Sequence, residues 1–319
     1  MRFFRKTNID FMGKRNMWYM ISALVILAGI VSLAVKGFHF GIDFLGGTEM
    51  IVEFSRPPDV GKVRDMMDRV GFPKSEIKMY GQENRLLIRT ELQGEGTTVG
   101  DKIRTSLQQN FPELNPSVLE VQKIGPQIGQ ELRRNAVFAV LASLIAMGLY
   151  VAFRFEFIYG LGAIVALFHD VMVALGFVSI FDGLTPYTNF EIDQNMIAAF
   201  LTIVGLSMND TVVIFDRIRE NKKIYKSMNL VDLINKSLNE TLSRTIITSG
   251  TIFIITLILF FFGGEVNRGF AFALTIGITT GTYSSIYIAS AIALDYTNRK
   301  LARKAKAVVA EKASYEALH

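Results

Sequence analysis

The sequence predicts a polytopic α-helical membrane protein with six transmembrane helices and a small α+β domain outside the membrane. Half of the 319 residues are hydrophobic, and several apolar runs exceed about 18 residues, which is enough for a helix to cross a bilayer. The charged fraction of 20% is too high for membrane segments alone. A stretch of about 100 residues between the first two apolar runs supplies the extramembrane part, since it shows strand and helix periodicity.

The six spans are predicted from the longest apolar runs. They cover Met17–Val35, Ala136–Phe153, Phe157–Phe181, Asn195–Phe215, Thr245–Phe262 and Gly269–Leu294. Basic residues cluster in the N-terminus, in the predicted loop 216–244 and in the tail, whereas the loop 182–194 has three acids and no Lys or Arg. Placing the basic segments in the cytoplasm lets all six spans alternate, with both termini inside. The net charge of +5 therefore indicates membrane topology and contact with lipid, and no nucleic-acid partner is expected.

This topology divides the chain into four parts. Residues 1–35 hold the cytoplasmic N-terminus and the first span, 36–134 the outer domain, 135–298 the other five spans with the cytoplasmic loop 216–244, and 299–319 a basic cytoplasmic tail. The small residues Ser32 and Ala34 leave a cleaved signal peptide as an alternative for the first span. That alternative is disfavoured because its removal would leave five spans and break the charge alternation.

The outer domain is predicted to be ferredoxin-like, with the order β-α-β-β-α-β. Its predicted elements are the strand Thr48–Phe54, a helix capped by Asp59, strands Ser75–Tyr80 and Arg85–Glu91 around a turn at Gly81–Asn84, the helix Asp101–Phe111 and the strand Ser117–Lys123. Gly46 and Gly47 precede the first strand, either as a flexible turn or as a hinge for the domain. The pattern contains no catalytic constellation, phosphate loop or metal-ligand spacing, and the absence of Cys excludes thiolate chemistry. We therefore expect neither an enzyme nor a cofactor or metal site.

Asp210 is the most informative residue, because it lies inside a membrane-length apolar run. A charge near the bilayer centre costs at least about 2.5 kcal/mol, so a function for the carboxylate is the default hypothesis. Ser207 lies three residues earlier on the same helix face, and Asn209 is adjacent. The alternative is that Asp210 merely bonds another helix and holds the assembly together.

Arg244 is the predicted partner of Asp210, since it opens the next span on the same side of the membrane. Its guanidinium is charged at any physiological pH and could hold the carboxylate ionised until the helices shift. Thr248 and Thr251 follow on one helix face, which favours an inward orientation. The alternative is that Arg244 reaches out to lipid phosphates.

Further polar and small residues lie in the spans. His169 and Asp170 lie near the middle of the third span and form either part of the same water path or a local contact with a neighbouring helix. Gly277, Gly281 and Ser285 recur every four residues in the last span, a stripe that allows close helix packing. In the cytoplasmic loop, an amphipathic segment beginning at Leu230 predicts an interfacial helix lying on the membrane, or else a plain connector helix.

Four sequence blocks carry a resemblance to a known family. They are GIDFLGGTEM after the first span, VGLSMNDTVVIFDRIREN in the fourth, LSRTIITS opening the fifth and GTYSSIYIAS in the sixth. Together they resemble the SecF members of the SecD/SecF family of bacterial protein-export membrane proteins, within the resistance-nodulation-division superfamily. The resemblance covers nearly the whole chain, and the block around Asp210 is its most specific part.

The resemblance implies a proton-coupled subunit of the bacterial inner membrane that works with SecD at the SecYEG channel on exported, unfolded preproteins. The family's membrane carboxylate falls on Asp210 and its arginine on Arg244, which implies a proton relay. No SecD portion is present in this chain, so a path formed between the two halves is incomplete. Two alternatives remain: a scaffold subunit without proton transport, and a small-molecule or lipid exporter, which the small outer domain disfavours.

Overall fold

The computed structural model describes residues 7–73, 75–90, 98–155, 157–185, 188 and 190–316. The helices are α1 Arg15–Lys36, α2 Ile42–Leu45, α3 Val60–Arg69, α4 Thr98–Asn110, α5 Pro126–Arg154, α6 Phe157–Phe181, α7 Gln194–Ile224, α8 Leu230–Phe262, α9 Glu265–Ser284 and α10 Ser290–Glu316. The strands are β1 Gly47–Glu53, β2 Glu76–Tyr80, β3 Gln82–Thr90 and β4 Ser117–Ile124. The chain is thus mostly helical, with one four-stranded sheet.

Within the described residues, five helical stretches are long and apolar enough to cross a membrane. They are Met12–Lys36 and the helices α5, α6, α7 and α8. Helix α6 has the bounds of the third predicted span, and the other four stretches contain the first, second, fourth and fifth predicted spans. The sixth predicted span, Gly269–Leu294, is not among these five. It lies on α9, on a π-helical segment, Ser285–Ala289, and on the start of α10.

The sheet has the strand order β2-β3-β1-β4, and the three pairings are antiparallel. Alternate residues of β1, Met50 and Val52, turn towards α3 and α4, where they join Val63 and Ile103 in a buried core. The period of two in β1 and of about 3.6 in the helices is what brings these faces together. Asp59 caps α3 as predicted, since its carboxylate accepts from the backbone of Gly61 at 2.9 Å.

Two local predictions in this domain are wrong. The turn predicted at Gly81–Asn84 is confined to Gly81, and β3 already begins at Gln82. Gly81 has φ 72°, a left-handed conformation that glycine adopts without strain, so the chain reverses more tightly than its polar sequence suggests. The short helix α2 was not predicted at all. The end of the predicted strand at Glu91 lies outside the described residues.

The predicted loop 216–244 is mostly helical, which agrees with the connector helix that the sequence left open. Helix α7 continues to Ile224, and α8 starts at Leu230 and runs unbroken to Phe262, through the fifth predicted span. The apolar face of its first turns does not lie on the membrane, since Leu233 and Ile234 are buried in the same core as Met12. The amphipathic pattern therefore marks a face covered by the chain's own N-terminal segment.

Asparagine side chains fasten this N-terminal segment to α8. The Oδ1 atom of Asn235 accepts from the backbone N–H groups of Phe11 at 3.0 Å and of Met12 at 2.9 Å. Asn239 both accepts from and donates to the backbone of Ile9, at 2.9 Å in each case. Backbone groups that no helix satisfies thereby find partners.

Helices α1 and α6 meet at a contact between two glycines. A Cβ atom added at Gly176 would lie 2.9 Å from the Cα of Gly29, and the reverse addition would give 2.7 Å. Such backbone proximity is how helices pack closely in membranes.

We expect Gly176→Ala to destabilise the protein by about 1–3 kcal/mol, because a backbone atom cannot rotate away from the added methyl group. Gly205→Ala is the matched control, since no atom lies within 4 Å of a Cβ at that position and alanine favours helix. Thermal unfolding in lipid nanodiscs should therefore show a lower Tm for Gly176→Ala and an equal or higher Tm for Gly205→Ala. Equal shifts in the two variants would contradict this packing.

The outer domain rests on the loop between α6 and α7 through an ion cluster. Arg89 on β3 is only 6% exposed. Its guanidinium pairs with Glu49 on β1, with Glu76 on β2 at 3.1 Å and with Glu191 of the loop at 2.5 Å. Lys78 on β2 also pairs with Glu191.

Two carboxyls in this cluster have pKa values shifted in opposite directions. Burial raises the pKa of Glu49, and the attraction of Arg89 does not offset it. Burial also opposes ionisation of Glu191, but Arg89 and Lys78 together outweigh it and lower its pKa. The loop carboxylate is therefore the one that the two cations hold most firmly in its charged form.

Asp193 lies next to this cluster and caps α7, accepting from the backbone N–H of Met196 at 2.7 Å. Burial, with the nearby charges of Asp43 and Glu191, raises its pKa to about 6, although the Met196 bond lowers it. Because its pKa is raised in the folded state, Asp193 stabilises the fold at low pH. This contribution is lost as the pH rises from about 4 to about 6.

The change in the free energy of unfolding caused by Asp193→Asn should therefore be more favourable above pH 6 than at pH 4, by on the order of 2 kcal/mol. Asparagine is as good a helix cap as aspartate, so the cap is retained. Thermal unfolding of both proteins between pH 4 and pH 8 measures this difference. The same stability difference between wild type and Asp193→Asn at every pH would contradict the assignment.

Candidate functional site within the membrane

Asp210 lies on α7 and is 8% exposed. Its Oδ2 atom accepts a hydrogen bond from the hydroxyl of Ser249 on α8 at 2.8 Å. The hydroxyl of Thr248 also interacts with this carboxylate. A carboxylate can accept several hydrogen bonds, so capacity remains for water or for another group.

A small cavity of about 20 Å³ borders the carboxylate between α7, α8 and α9. That volume has room for about one water molecule. Asn209, Thr248, Ser249 and Thr282 give it polar walls, and the side chain of Asn209 is exposed. The carboxylate therefore lies next to polar space that reaches the outside of this chain.

Arg244 is exposed in the first half of α8. No carboxylate of the described residues lies within the 4.0 Å ion-pair distance of its guanidinium, although its charge attracts Asp210 through space. The hydroxyl of Thr248 donates to the backbone carbonyl of Arg244 at 3.0 Å. The expected relay pair is thus on neighbouring helices and without direct contact in this conformation.

Ser207 faces a different carboxylate from the one expected. Its hydroxyl donates to Oδ2 of Asp170 on α6 at 2.5 Å, and the hydroxyl of Ser284 on α9 donates to the same atom at 2.8 Å. Asp170 is fully buried. A buried carboxylate is tolerated only with such partners.

His169 completes this second cluster. Its Nδ1 atom lies 2.9 Å from Oδ1 of Asp170, and its Nε2 atom lies 2.9 Å from the hydroxyl of Tyr283 on α9. The Tyr283 hydroxyl lies 3.3 Å from that of Ser22 on α1. The cluster therefore joins four helices, and Ser207 connects it to α7 three residues before Asp210.

The small-residue stripe of α9 faces α7. A Cβ atom at Gly277 would lie 2.3 Å from Ile203, and one at Gly281 would lie 3.0 Å from Ser207. Ser285, in the π-helical segment, lies with its hydroxyl 2.8 Å from that of Thr211. The close approach of these helices is what brings Ser284 to Asp170.

The two hinge candidates lie where the outer domain joins the membrane part. Gly46 and Gly47 have φ values of 73° and 123°. A Cβ atom at Gly46 would lie 2.9 Å from the Cα of Pro126, at the start of α5. Only glycine fits this position without strain.

Sequence reasoning missed Ser249, Ser22 and Arg89. Their partners lie on other elements, between 13 and 261 residues away, so no local pattern could pair them. Among the described residues, no group of His, Cys, Asp and Glu could hold a metal ion.

Comparisons with known proteins agree with this arrangement. The family described as protein export membrane protein SecD/SecF, C-terminal, matches residues 102–299, and the SecD/SecF GG motif matches residues 31–58. The protein translocase subunit SecF of Rhodothermus marinus is 45% identical over 95% of this chain and 98% of its own length. That of Thermodesulfovibrio yellowstonii is 43% identical over 91% and 95%.

A crystal structure of SecDF from Thermus, described as a translocon-associated membrane protein, is 38% identical with a TM-score of 0.80. The match covers 92% of this chain but only 39% of the solved SecDF chain. The same comparison with SecDF in a super-membrane-facing form gives a TM-score of 0.70. With matches to most of its length, the chain belongs to the SecD/SecF family of protein-export membrane proteins as a multi-pass SecF translocase subunit.

Proposed function

We propose that the protein uses the proton gradient, together with a SecD partner, to promote export of preproteins through the SecYEG channel. Asp210 carries the proton in this proposal. The observation that supports it best is a nearly buried membrane carboxylate whose partners among the described residues are neutral hydroxyls, of Ser249 and Thr248, and which borders a polar cavity. Neutral hydroxyl donors leave the carboxyl without a fixed counter-ion, so it can hold a proton, and loss of that proton becomes favourable when a cation approaches.

Arg244 acts on Asp210 through its charge in this mechanism. It lies one helix away, without direct contact, so a small shift of α8 would bring it closer and favour the ionised form. The exposed side chains of Asn209 and Arg244 are consistent with a second membrane half covering this side. The fact that the chain spans 39% of the solved SecDF chain supports the same view.

We further propose the topology that such a machine needs. The protein lies in the bacterial inner membrane with six spans and both termini in the cytoplasm, the sixth span being formed by α9, the π-helical segment and the start of α10. The four-part division at residues 35, 134 and 298 stays part of this proposal, with the N-terminal residues of α5 extending into the second part. The strand order supports a ferredoxin-like outer domain.

Reconstitution tests this proposal. Liposomes containing the protein, its SecD partner and the SecYEG channel should export a preprotein faster when a proton gradient is imposed, after ATP-driven initiation. The same liposomes without this protein should not respond to the gradient. An equal rate with and without a gradient would contradict the proposal.

A scaffold function is the second candidate, favoured by the observation that the Ser249 bond joins two helices. In that case the protein would raise the amount of assembled translocase, and export per assembled complex would not depend on the gradient. Measuring assembly and export in the same samples separates the two functions.

A further inference from the structure

His169 and Asp170 form a buried site that differs from Asp210 in its environment. Asp170 is completely buried and His169 is 5% exposed. Both lie on α6. Asp170 accepts hydrogen bonds from Ser207 on α7 and Ser284 on α9. His169 bonds to Tyr283 on α9, which in turn bonds to Ser22 on α1. Tyr283 is the titratable side chain that faces the pair from α9. The groups facing it from α7 and α1 are the neutral hydroxyls of Ser207 and Ser22.

We propose that this pair is a second proton-binding site, in which His169 gains and loses a proton while Asp170 stays ionised. Asp170 has three donors within 2.9 Å: the imidazole Nδ1–H of His169 and the hydroxyls of Ser207 and Ser284. These bonds satisfy the carboxylate when His169 is neutral. When His169 is charged, it becomes the counter-ion of Asp170, and the net charge of the buried pair falls from −1 to zero.

The hydrogen-bond chain beyond His169 serves both protonation states. With neutral His169, the Tyr283 hydroxyl donates to Nε2 and accepts from Ser22. With charged His169, Nε2–H donates to Tyr283, which turns its hydrogen towards Ser22. The heavy-atom distances of 2.9 Å and 3.3 Å allow either direction, so both ring nitrogens of His169 and the Tyr283 hydroxyl keep a partner in both protonation states.

Tyr283 is fixed in the position that this reversal needs. Trp18 on α1 stacks on its ring, with centroids 5.3 Å apart, and His169 meets it edge-on at 5.4 Å. Trp18 also stacks on Tyr287, within the π-helical segment, at 4.6 Å. Because the rings are held by neighbours, only hydroxyl hydrogens have to move when the proton arrives.

The site is also in contact with α7, which carries Asp210. Ser207 donates to Asp170 and precedes Asp210 by one helical turn. A change of charge at the pair alters the strength of that bond. This inference goes beyond the proposed role of Asp210, since it concerns separate groups and is tested without export.

Nuclear magnetic resonance of the imidazole nitrogens in the full chain, in lipid nanodiscs, tests the proposal. The chain has 3 His, and the His169→Gln variant identifies the signals of His169. We expect a neutral ring with its hydrogen on Nδ1 at the alkaline end of the pH range studied and an imidazolium at its acid end. In Asp170→Asn, the ratio of imidazolium to neutral ring at a given pH should fall at least about tenfold, because the counter-ion is gone.

Ser22→Ala provides a second variant, in case Asp170→Asn fails to fold. It keeps the carboxylate but removes the last acceptor of the chain, so the charged state leaves the Tyr283 hydrogen unpaired and the imidazolium fraction should fall. The proposal is overturned if His169 keeps one protonation state between about pH 5 and pH 9. It is also overturned if His169 titrates identically in wild type and in the variants that fold.

Discussion

Asp210→Asn is expected to remove the gradient-dependent component of export while leaving the protein assembled with its partners. Asparagine has nearly the same shape, and its carbonyl oxygen can still accept from Ser249, which now donates at 2.8 Å. It cannot carry a proton. About 100 mV is worth about 2.3 kcal/mol per charge moved, so the gradient can accelerate export by up to about 50-fold. Asp210→Asn should lose all of this acceleration.

Asp216→Asn is the matched control for this prediction. Asp216 lies on the same helix, with its side chain 57% exposed and 3.3 Å from Arg154. Its loss removes the same charge from α7 without touching the cavity, and exposed ion pairs contribute little. Export measured in reconstituted liposomes, per assembled complex, should be normal for Asp216→Asn. Equal losses in both variants would point to general charge effects instead of a proton carrier.

Arg89→Gln is expected to loosen the outer domain from the membrane part and to destabilise the protein by about 3–5 kcal/mol. The guanidinium side chain is 7% exposed and lies between Glu49 and Glu191, which are 14% and 15% exposed. Without it, two nearly buried carboxylates remain, and Lys78 is the other cation in the ion pairs given for this cluster. Removing one partner of a buried ion cluster is costly because the remaining charge is left without compensation.

Arg85→Gln is the control on the same strand. Arg85 pairs with Glu53 at 2.9 Å, but the two side chains are 29% and 34% exposed, so this pair is worth no more than about 1 kcal/mol. Thermal unfolding gives the stability of both variants, and hydrogen exchange of residues 190–194 reports whether the domain still covers the loop. Equal stabilities would show that the ion cluster does not hold the domain.

Periodicity predicted those parts of the fold that depend on local sequence. The apolar runs of α1, α5 and α6 are continuous, and Asp59 precedes an amphipathic helix, so each of these elements is visible without tertiary information. The start of α8 shows the limit of the method. Its apolar face was correct, but the sequence could not reveal that the chain's own N-terminal segment covers it.

The sequence was enough to predict Asp210 as the centre of the candidate site, but not the residues that contact it. Asp210 stands out because a carboxylate in an apolar run is costly wherever it lies. Its contact with Ser249, and that of Ser207 with Asp170, depend on how α6, α7, α8 and α9 rotate about their axes. The glycine contacts at Gly277 and Gly281 help to set this rotation, and it emerges only from packing.

Proton flux in liposomes tests the central claim most directly, with Asp210→Asn and Ser249→Ala compared in the assembled complex. Ser249→Ala breaks the hydrogen bond between α7 and α8 but keeps the titratable carboxylate, whereas Asp210→Asn does the reverse. A pH-sensitive dye inside the vesicles should report translocation-coupled flux for wild type and Ser249→Ala, and only background leak for Asp210→Asn. Undiminished flux in Asp210→Asn would contradict the role of Asp210 as the proton carrier.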